Sequence, residues 1–433
     1  MTAIDSAPSP SRYAWFVVGL LVPVALLNYL DRQMLASMKF SVMHDIPDIG
    51  LEANWGTILA LFKWVYAFLS PIGGYLADRY SRRHVIAGSL LVWSIVTWTT
   101  GHVTTYEQLL VTRALMGISE AFYIPAALAL IADFHTGGTR SRAIGLHQMG
   151  IYVGVIIGGF GGYVADQPGL GWRVAFDACG IAGIAYAVPL FFLLRNPPRT
   201  AEAQSRPRTS PGAALRELLG TGSFILLVLY FTLPALAGWI VRDWMPAILK
   251  AEFGIGQGLA GVSATIYWQV AAIVGALAGG WLADRWMRKT PRGRIFVSAI
   301  GMALIVPAMF GVGYAPQTGL LWVAVAFLIL FGLGWGFFDS NNMPILCQIA
   351  RPELRATGYG IMNLVSISCG GFADWGFGML RDRHVPLFGI FGAFASAAVI
   401  STILVLLIRP RETESVQVDG GDGVKGVHNG GTE

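Results

Sequence analysis

The sequence predicts an all-α membrane protein: twelve transmembrane helices in two pseudo-symmetric six-helix bundles. Three observations predict it. Charged residues make up only 13% of the 433 and hydrophobic residues 55%, with a mean hydropathy of +0.59. A water-soluble domain carries about 25% charged residues, so a soluble globule and a disordered chain are excluded. Long apolar runs recur from end to end. One loop sequence returns 206 residues later.

A span needs about 20 mostly apolar residues. In order, the runs are 13–38, 53–77, 84–102, 104–132, 141–165, 172–195, 221–250, 258–283, 294–314, 318–348, 353–380 and 385–408. The first is not a signal peptide: it runs into Asn28-Tyr29-Leu30-Asp31-Arg32 without a small-residue cleavage site. Residues 196–220, rich in Arg, Pro, Ser and Ala, form the longest hydrophilic stretch between spans. They divide an N-terminal bundle, 13–195, from a C-terminal bundle, 221–408. Residues 1–12 and 409–433 read as cytoplasmic tails, the second Gly-rich, polar and disordered by composition. The 54 glycines follow no three-residue period and suit helices that pack closely in lipid.

Positive charge orients the chain. With both termini cytoplasmic, 21 of the 30 Lys and Arg residues fall on the cytoplasmic side. Lys39, Arg173, Lys250, Arg381 and Arg383 fall outside, and Arg32, Lys63, Arg113 and Arg242 within spans. The net charge of +5 therefore reports topology and not nucleic-acid binding. The expected location is the cell (inner or cytoplasmic) membrane, as a multi-pass monomer in the lipid bilayer. Cys179, Cys347 and Cys369 form no CxxC pair, which speaks against a disulfide framework or a zinc site. GxSxG and Walker A sequences and metal-ligand clusters are absent, so the chain reads as no enzyme and no ATP-driven pump.

The repeat runs from Gly73-Gly74 through Asp78-Arg79 to Arg83 after span 2, and from Gly279-Gly280 through Asp284-Arg285 to Lys289 after span 8. Gly74 and Gly280 are expected to let neighbouring helices touch. Asp78 and Asp284, beside clustered Arg that includes Arg79 and Arg285, are placed to pair with those Arg or with a helix N-terminus. Such a latch, formed on one side of the membrane, biases one state of a two-state carrier. A helix stop in a positive loop is the plainer reading of a single copy. On this motif in both halves, the sequence resembles the major facilitator superfamily over nearly all of its length. The resemblance implies a substrate site between the bundles near mid-membrane and alternating access by rocking.

Ionisable residues inside a span are costly and face a cavity or a partner. Span 1 holds Asp31 and Arg32, span 2 Lys63, and span 4 Arg113 and Glu120. Counted at about 1.5 Å per residue, Asp31, Arg32, Lys63 and Arg113 reach similar depths, roughly 13–15 Å from the outer face. Glu120 lies about two turns from Arg113 on the same helix face. Cations beside carboxyls in a low-dielectric cavity suit an anion, held bidentately by Arg and by a point charge on Lys. A carboxyl poised between burial and an Arg partner suits proton coupling. Internal salt bridges that only hold the bundle, and snorkelling by Lys63, are the structural alternatives.

Asn28-Tyr29-Leu30-Asp31-Arg32, and Arg113 through Glu120-Ala121 with Pro125 following, resemble the anion:cation symporter family. That resemblance implies uptake of organic anions such as sugar acids with protons. It assigns the proton-carrying carboxylates to Asp31 and Glu120 and the span-1 Arg to Arg32. The same motifs are similar to those of spinster-like transporters of lysolipids and sphingoid lipids. Ala129-Leu130-Ile131-Ala132-Asp133 with Arg140-Ser141-Arg142 resembles that family more.

Weaker candidates for substrate contact are Tyr29, Tyr123, His147, Gln148 and Asn363. The glycines of span 5, Gly154 to Gly162, resemble an antiporter motif but lack its proline, which leans toward symport; helix packing is the alternative. Arg242 and Asp243 read as a rim pair. Asp339-Ser340-Asn341-Asn342 before Pro344 reads as a polar break that either meets substrate or kinks the helix. The expected function is proton-coupled symport of a small organic anion, a sugar acid or other carboxylate, with no cofactor besides the proton. The alternative is a spinster-like lipid transporter.

Overall fold

The computed structural model describes residues 12–135, 139–196 and 210–410, without the side chains of 74–79, 141, 211 and 352. Twelve helical spans cross in order: Arg12–Ser37, Glu52–Arg79, Arg82–Thr100, Tyr106–Phe134, Arg140–Asp166, Gly171–Leu193, Gly222–Asp243, Gln257–Met287, Gly293–Thr318, Leu321–Ile349, Arg355–Asp382 and Leu387–Leu407. Ten are long and apolar enough to cross a membrane on those grounds alone. Spans 3 and 11 are long enough but more polar. Span 3 begins on Arg82-Arg83-His84, and span 11 carries Asn363, Ser366, Asp374 and Asp382. A helix that faces a cavity or a neighbouring bundle is free to carry such groups.

Several helices break where the sequence forces them to. Span 4 interrupts at Ala121-Phe122, between the helices Tyr106–Glu120 and Tyr123–Phe134. Pro125 has no N–H, and its ring crowds the carbonyl four residues back, that of Ala121. Glu120 thus ends the first helix. Span 7 breaks at Trp244, next to Pro246, and continues as Met245–Phe253. Span 1 breaks at Met38 and continues as Lys39–Asp45. Met38 and Trp244 are separated by the same offset as the loop motif, so the repeat extends to the bends of the helices. Span 10, by contrast, is one unbroken helix through Pro344, so the expected break at 339–342 is absent. Asn341 stays within the helix, donating to the Phe337 carbonyl at 3.0 Å.

Within each half the same three pairings recur. Span 1 packs on 5, 2 on 4 and 3 on 6; span 7 packs on 11, 8 on 10 and 9 on 12. Outward-facing Phe68, Phe192, Leu277 and Trp322 are exposed, as a lipid-facing surface requires. The interdomain stretch 196–220 contains a short helix, Pro211–Leu219, which seats Ala214 and Leu218 against the C-terminal bundle. Residues 1–11, 197–209 and 411–433 lie outside the described residues.

The start of span 1 meets the end of span 6 through Tyr13 Oη and the Leu193 carbonyl, 2.8 Å. The start of span 7 meets the end of span 12 through Ser223 Oγ and the Arg409 carbonyl, 3.0 Å. Both ends of the chain therefore share one face, the terminal face. Among the described residues, the hydrogen bonds and ion pairs that join the bundles lie at the opposite face or mid-membrane. The bundles pack closely along two seams, span 2 against 11 and span 5 against 8, with further bonds from spans 1 and 2 to span 7 and from the end of span 1 to span 8.

Each seam carries a carboxylate cap. Asp382, ending span 11, accepts from the backbone N–H groups of Glu52 and Ala53, 2.9 and 2.8 Å, at the start of span 2. Asp166, ending span 5, accepts from Gly258 N at 3.1 Å and Gln257 Nε2 at 2.8 Å, at the start of span 8. Each cap satisfies orphan donors of a helix in the other bundle and complements its dipole. Gly56 admits the Asp374 carbonyl, which would lie 2.5 Å from a Cβ. At the other seam the Gly159 carbonyl leaves no room for a Cβ on Gly261. The span-5 glycines Gly154 and Gly158 are packing positions against span 1.

Candidate functional site

Beneath this seal lies a central cavity of about 500 Å³, its open mouth included. It is lined by Tyr29, Arg32, Gln33, Leu35, Ile58, Leu59, Phe62, Lys63, Arg113, Val155, Trp239, Arg242 and Asp243. Four of the sequence-predicted site residues, Tyr29, Arg32, Lys63 and Arg113, line this one space; Asp31, expected at the same depth as the three cations, does not.

Arg32 is its best-held cation. Its Nε donates to Glu120 Oε2 at 2.7 Å, and a second nitrogen donates to Asn28 Oδ1 at 3.1 Å. Its guanidinium sits over the rings of Phe62, Tyr29 and Tyr66, 4.5, 4.7 and 5.1 Å from their centroids. Glu120 and Asn28 are fully buried, and Glu120 Oε1 and Asn28 Nδ2 have no partner. Asp31, also buried, accepts from Thr97 Oγ1 at 3.0 Å through Oδ2, and its Oδ1 is unpartnered. Arg113 reaches Thr100 Oγ1 at 3.4 Å, and its Nε has no partner. Asp31, Arg32, Arg113 and Glu120 thus make a charge-balanced quartet with spare donors and acceptors.

Lys63 is placed differently from the expectation. It stands at the cavity wall, yet its ammonium is bound by two carboxylates of the other bundle, Asp243 of span 7 and Asp374 of span 11. Trp244 Nε1 completes Asp374 with a 3.2 Å bond to Oδ1. Arg242 and Asp243 are therefore not a pair at the rim. Asp243 faces Lys63, whereas Arg242 lies over Trp239, Tyr29 and Trp268 at 5.2, 5.9 and 6.0 Å. Gln33 Nε2 donates to the Arg242 carbonyl at 3.1 Å, tying span 1 to span 7. Arg242 makes no ion pair among the described residues.

Tyr123 and His147 do not line the cavity. Tyr123 Oη bonds His147 Nε2 at 2.8 Å and the Leu21 carbonyl at 3.0 Å inside the packed N-terminal bundle. Gln148 and Asn363 are half-buried and also outside the lining; Asn363 donates to the Tyr359 carbonyl at 3.1 Å. Of the loop motif, Gly74, Asp78 and Arg79 lie outside the described residues. In the second copy Gly279, not Gly280, makes the close approach, to the Phe337 Cα of span 10. Gly280 faces open space. Asp284 accepts from Arg294 at 2.8 Å within its own bundle, and Arg285 lies over Trp281 at 5.9 Å.

Comparison with known proteins accords with this architecture. The sequence profile of the Major Facilitator Superfamily matches residues 21–373. The chain belongs to the Major Facilitator Superfamily. Protein spinster homolog 1 of Bos taurus is 30% identical over 400 residues, covering 86% of this chain and 74% of that one. An MFS-type efflux pump of Mycolicibacterium smegmatis is 27% identical, with coverages of 86% and 85%. Among solved structures, a bacterial homolog of the human lysosomal transporter Spinster, inward-facing and unoccupied, superposes with a TM-score of 0.74 at 21% identity, covering 92% and 96%. A D-xylose-proton symporter gives 0.72 at 16%, covering 92% and 98%. The chain is a multi-pass superfamily transporter, and its relatives are transporters, not enzymes. The spinster-like resemblance is the one these relatives match.

Sequence reasoning missed Asp374, and it misplaced Arg242 and Asp243. The signal for Asp374 was present: it is an ionisable residue inside an apolar run. Its partner is 311 positions away, and no local pattern announces that.

Proposed function

We propose that this Major Facilitator Superfamily member is a proton-coupled secondary transporter of an organic anion, with Arg32 as the principal anion-binding group. The observation that carries the reading is the buried Arg32–Glu120 pair at the cavity wall. The quartet around it is already neutral, so an arriving anion competes with Glu120 for the guanidinium. A proton on Glu120 releases Arg32 and keeps the site neutral when the anion binds. Asp31, hydrogen-bonded to Thr97 and unpartnered at Oδ1, is the second proton carrier. Arg113 and Arg242 add positive potential, and Tyr29 flanks the anion. Lys63 acts mainly through its two Asp partners.

The positive-inside distribution supports a cytoplasmic terminal face and a cell-membrane location. On that orientation this conformation is sealed outside. The loop motifs, with Asp78, Arg79, Asp284 and Arg285, are the latch that engages when the terminal face closes. The pairing of Asp284 with Arg294 inside one bundle fits a disengaged latch.

A second reading is favoured by the spinster relatives and by the apolar lining of Leu35, Ile58, Leu59, Phe62, Val155 and Trp239. There the anion is the headgroup of an amphiphile such as a lysolipid. The deciding test is uptake into proteoliposomes under an imposed proton gradient, with hexuronates, aldonates, short monocarboxylates and a lysolipid. Carboxylate uptake abolished by a protonophore supports the first reading. Lysolipid flux without carboxylate uptake supports the second. Gradient-independent uptake of either class defeats proton coupling.

A further inference from the structure

We propose that Lys63, Asp243 and Asp374 form a gating proton site: a proton binds there as the opposite face closes and leaves to the same side as it opens. This proton is not the one carried across the membrane by Glu120 or Asp31.

Lys63 belongs to span 2 of the N-terminal bundle, and both carboxylates belong to the C-terminal bundle. When the bundles part at the opposite face, the ammonium must leave its partners. Counted along span 2 from Glu52, Lys63 lies roughly 16 Å below that face, at the floor of the seal. Asp374 has no exposure, and Lys63 and Asp243 are buried.

One ammonium faces two carboxylates, which leaves a surplus negative charge on a cluster whose Asp374 has no exposure at all. An uncompensated buried charge is expensive, and a single proton on the Asp pair removes it. Among the described residues no second cation is ion-paired with either carboxylate. Lys39 is paired with Glu52, and Arg381 with Glu252. Asp382 is spent on the start of span 2. Arg113 is within the electrostatic field of Asp31 and Glu120. Arg242, next to Asp243 in sequence, lies over Trp239 and Tyr29 and makes no ion pair among the described residues; its field also reaches Asp339 of span 10. The remaining polar neighbour is Trp244, which donates to Asp374, and Trp239 offers Lys63 its ring face at 4.5 Å.

With the opposite face open, water hydrates all three groups, and both carboxylates ionise without penalty. The closed state therefore binds more protons than the open one. By linkage, acid favours closure of the opposite face, and alkali favours its opening. This linkage holds whichever substrate is carried.

The test uses the full-length protein in lipid nanodiscs, without substrate. Spin labels at Leu51→Cys and Leu320→Cys, in a variant with the three native cysteines replaced by Ser, report separation of the bundles at the opposite face. Between about pH 8 and about pH 5 the open fraction is expected to fall at least threefold. Asp374→Asn and, independently, Asp243→Asn balance the lysine with one carboxylate, so each is expected to hold the face closed with no pH response. Glu120→Gln is expected to keep the pH response while losing coupled transport, which separates this site from the proposed transport site. A pH-independent distance in the unsubstituted background overturns the proposal, as does an unchanged pH midpoint in either Asn variant.

Discussion

Arg32 and Glu120, 88 positions apart in sequence, meet at 2.7 Å on the wall of a cavity where Glu120 keeps one oxygen unpartnered. A carboxylate that holds an arginine and lacks its full set of donors is a competitor for any anion that arrives. Glu120→Gln keeps the shape and removes the competition and the proton. Proton-driven accumulation is expected to fall to the level set by the substrate gradient, whereas exchange of labelled for unlabelled substrate persists. Accumulation assays and counterflow on the same vesicles check this.

Arg32→Ala probes the other half of the pair. A hydrogen bond to a charged group contributes about 1.5–3 kcal/mol, so substrate affinity is expected to weaken roughly 10- to 150-fold. Arg32→Lys restores the charge without the planar fork, and only partial recovery is expected. Binding isotherms of the purified variants are the measurement. Full activity of Arg32→Ala removes the proposed role.

The N-terminal quartet was legible because each member is an ionisable residue inside an apolar run, and helical rise alone gives their common depth. The six-plus-six architecture was legible because the loop motif repeats. The partners of Lys63 were not, since pairing between bundles depends on how two rigid halves meet. Register also hid from sequence. Adjacent glycines point about 100° apart on a helix, so choosing Gly279 over Gly280 as the contact requires knowing where span 10 lies. Tyr123 and His147 looked alike as polar groups in apolar runs. They satisfy each other in the core instead of facing the cavity.

Lys63→Met leaves Asp243 and Asp374 buried against each other without their cation. Breaking a buried pair in this way costs about 3–5 kcal/mol. A clear fall in the melting temperature of the detergent-solubilised protein is expected, together with a shift away from the sealed state. Adding Asp243→Asn and Asp374→Asn to Lys63→Met is expected to recover most of the loss, because the cluster is then neutral throughout. A double-mutant cycle over these variants measures the coupling.

The two carboxylate caps should act as independent clamps on the opposite face. Removing a capping Asp costs about 1 kcal/mol. Asp166→Ala and Asp382→Ala are each expected to shift the equilibrium roughly fivefold toward opening of that face. Their seams are separate, so the double variant is expected to shift it by about thirtyfold. Distances between labels across the face provide the readout. Strong non-additivity would show that the caps are not separate clamps.

Gly56→Leu tests the span 2–11 seam one turn in from its Asp382 cap. A Cβ on residue 56 would lie 2.5 Å from the Asp374 carbonyl oxygen and 3.0 Å from the Trp375 Cα, and both atoms are backbone. Neither can turn aside as a flexible side chain could, so spans 2 and 11 cannot approach. When the bundles are parted, the same side chain meets no such obstacle. The variant is therefore expected to fold, to bind substrate from the opposite side, and to fail in transport. Because the bundles move as rigid bodies, the span 5–8 seam should open as well. Ser41, whose Oγ accepts from Gln257 at 2.7 Å across that region, is the place to look. A cysteine there is expected to react with a membrane-impermeant maleimide at least about tenfold faster in the Gly56→Leu background. An unchanged rate, with transport intact, would mean that the close approach at Gly56 is not needed for closure.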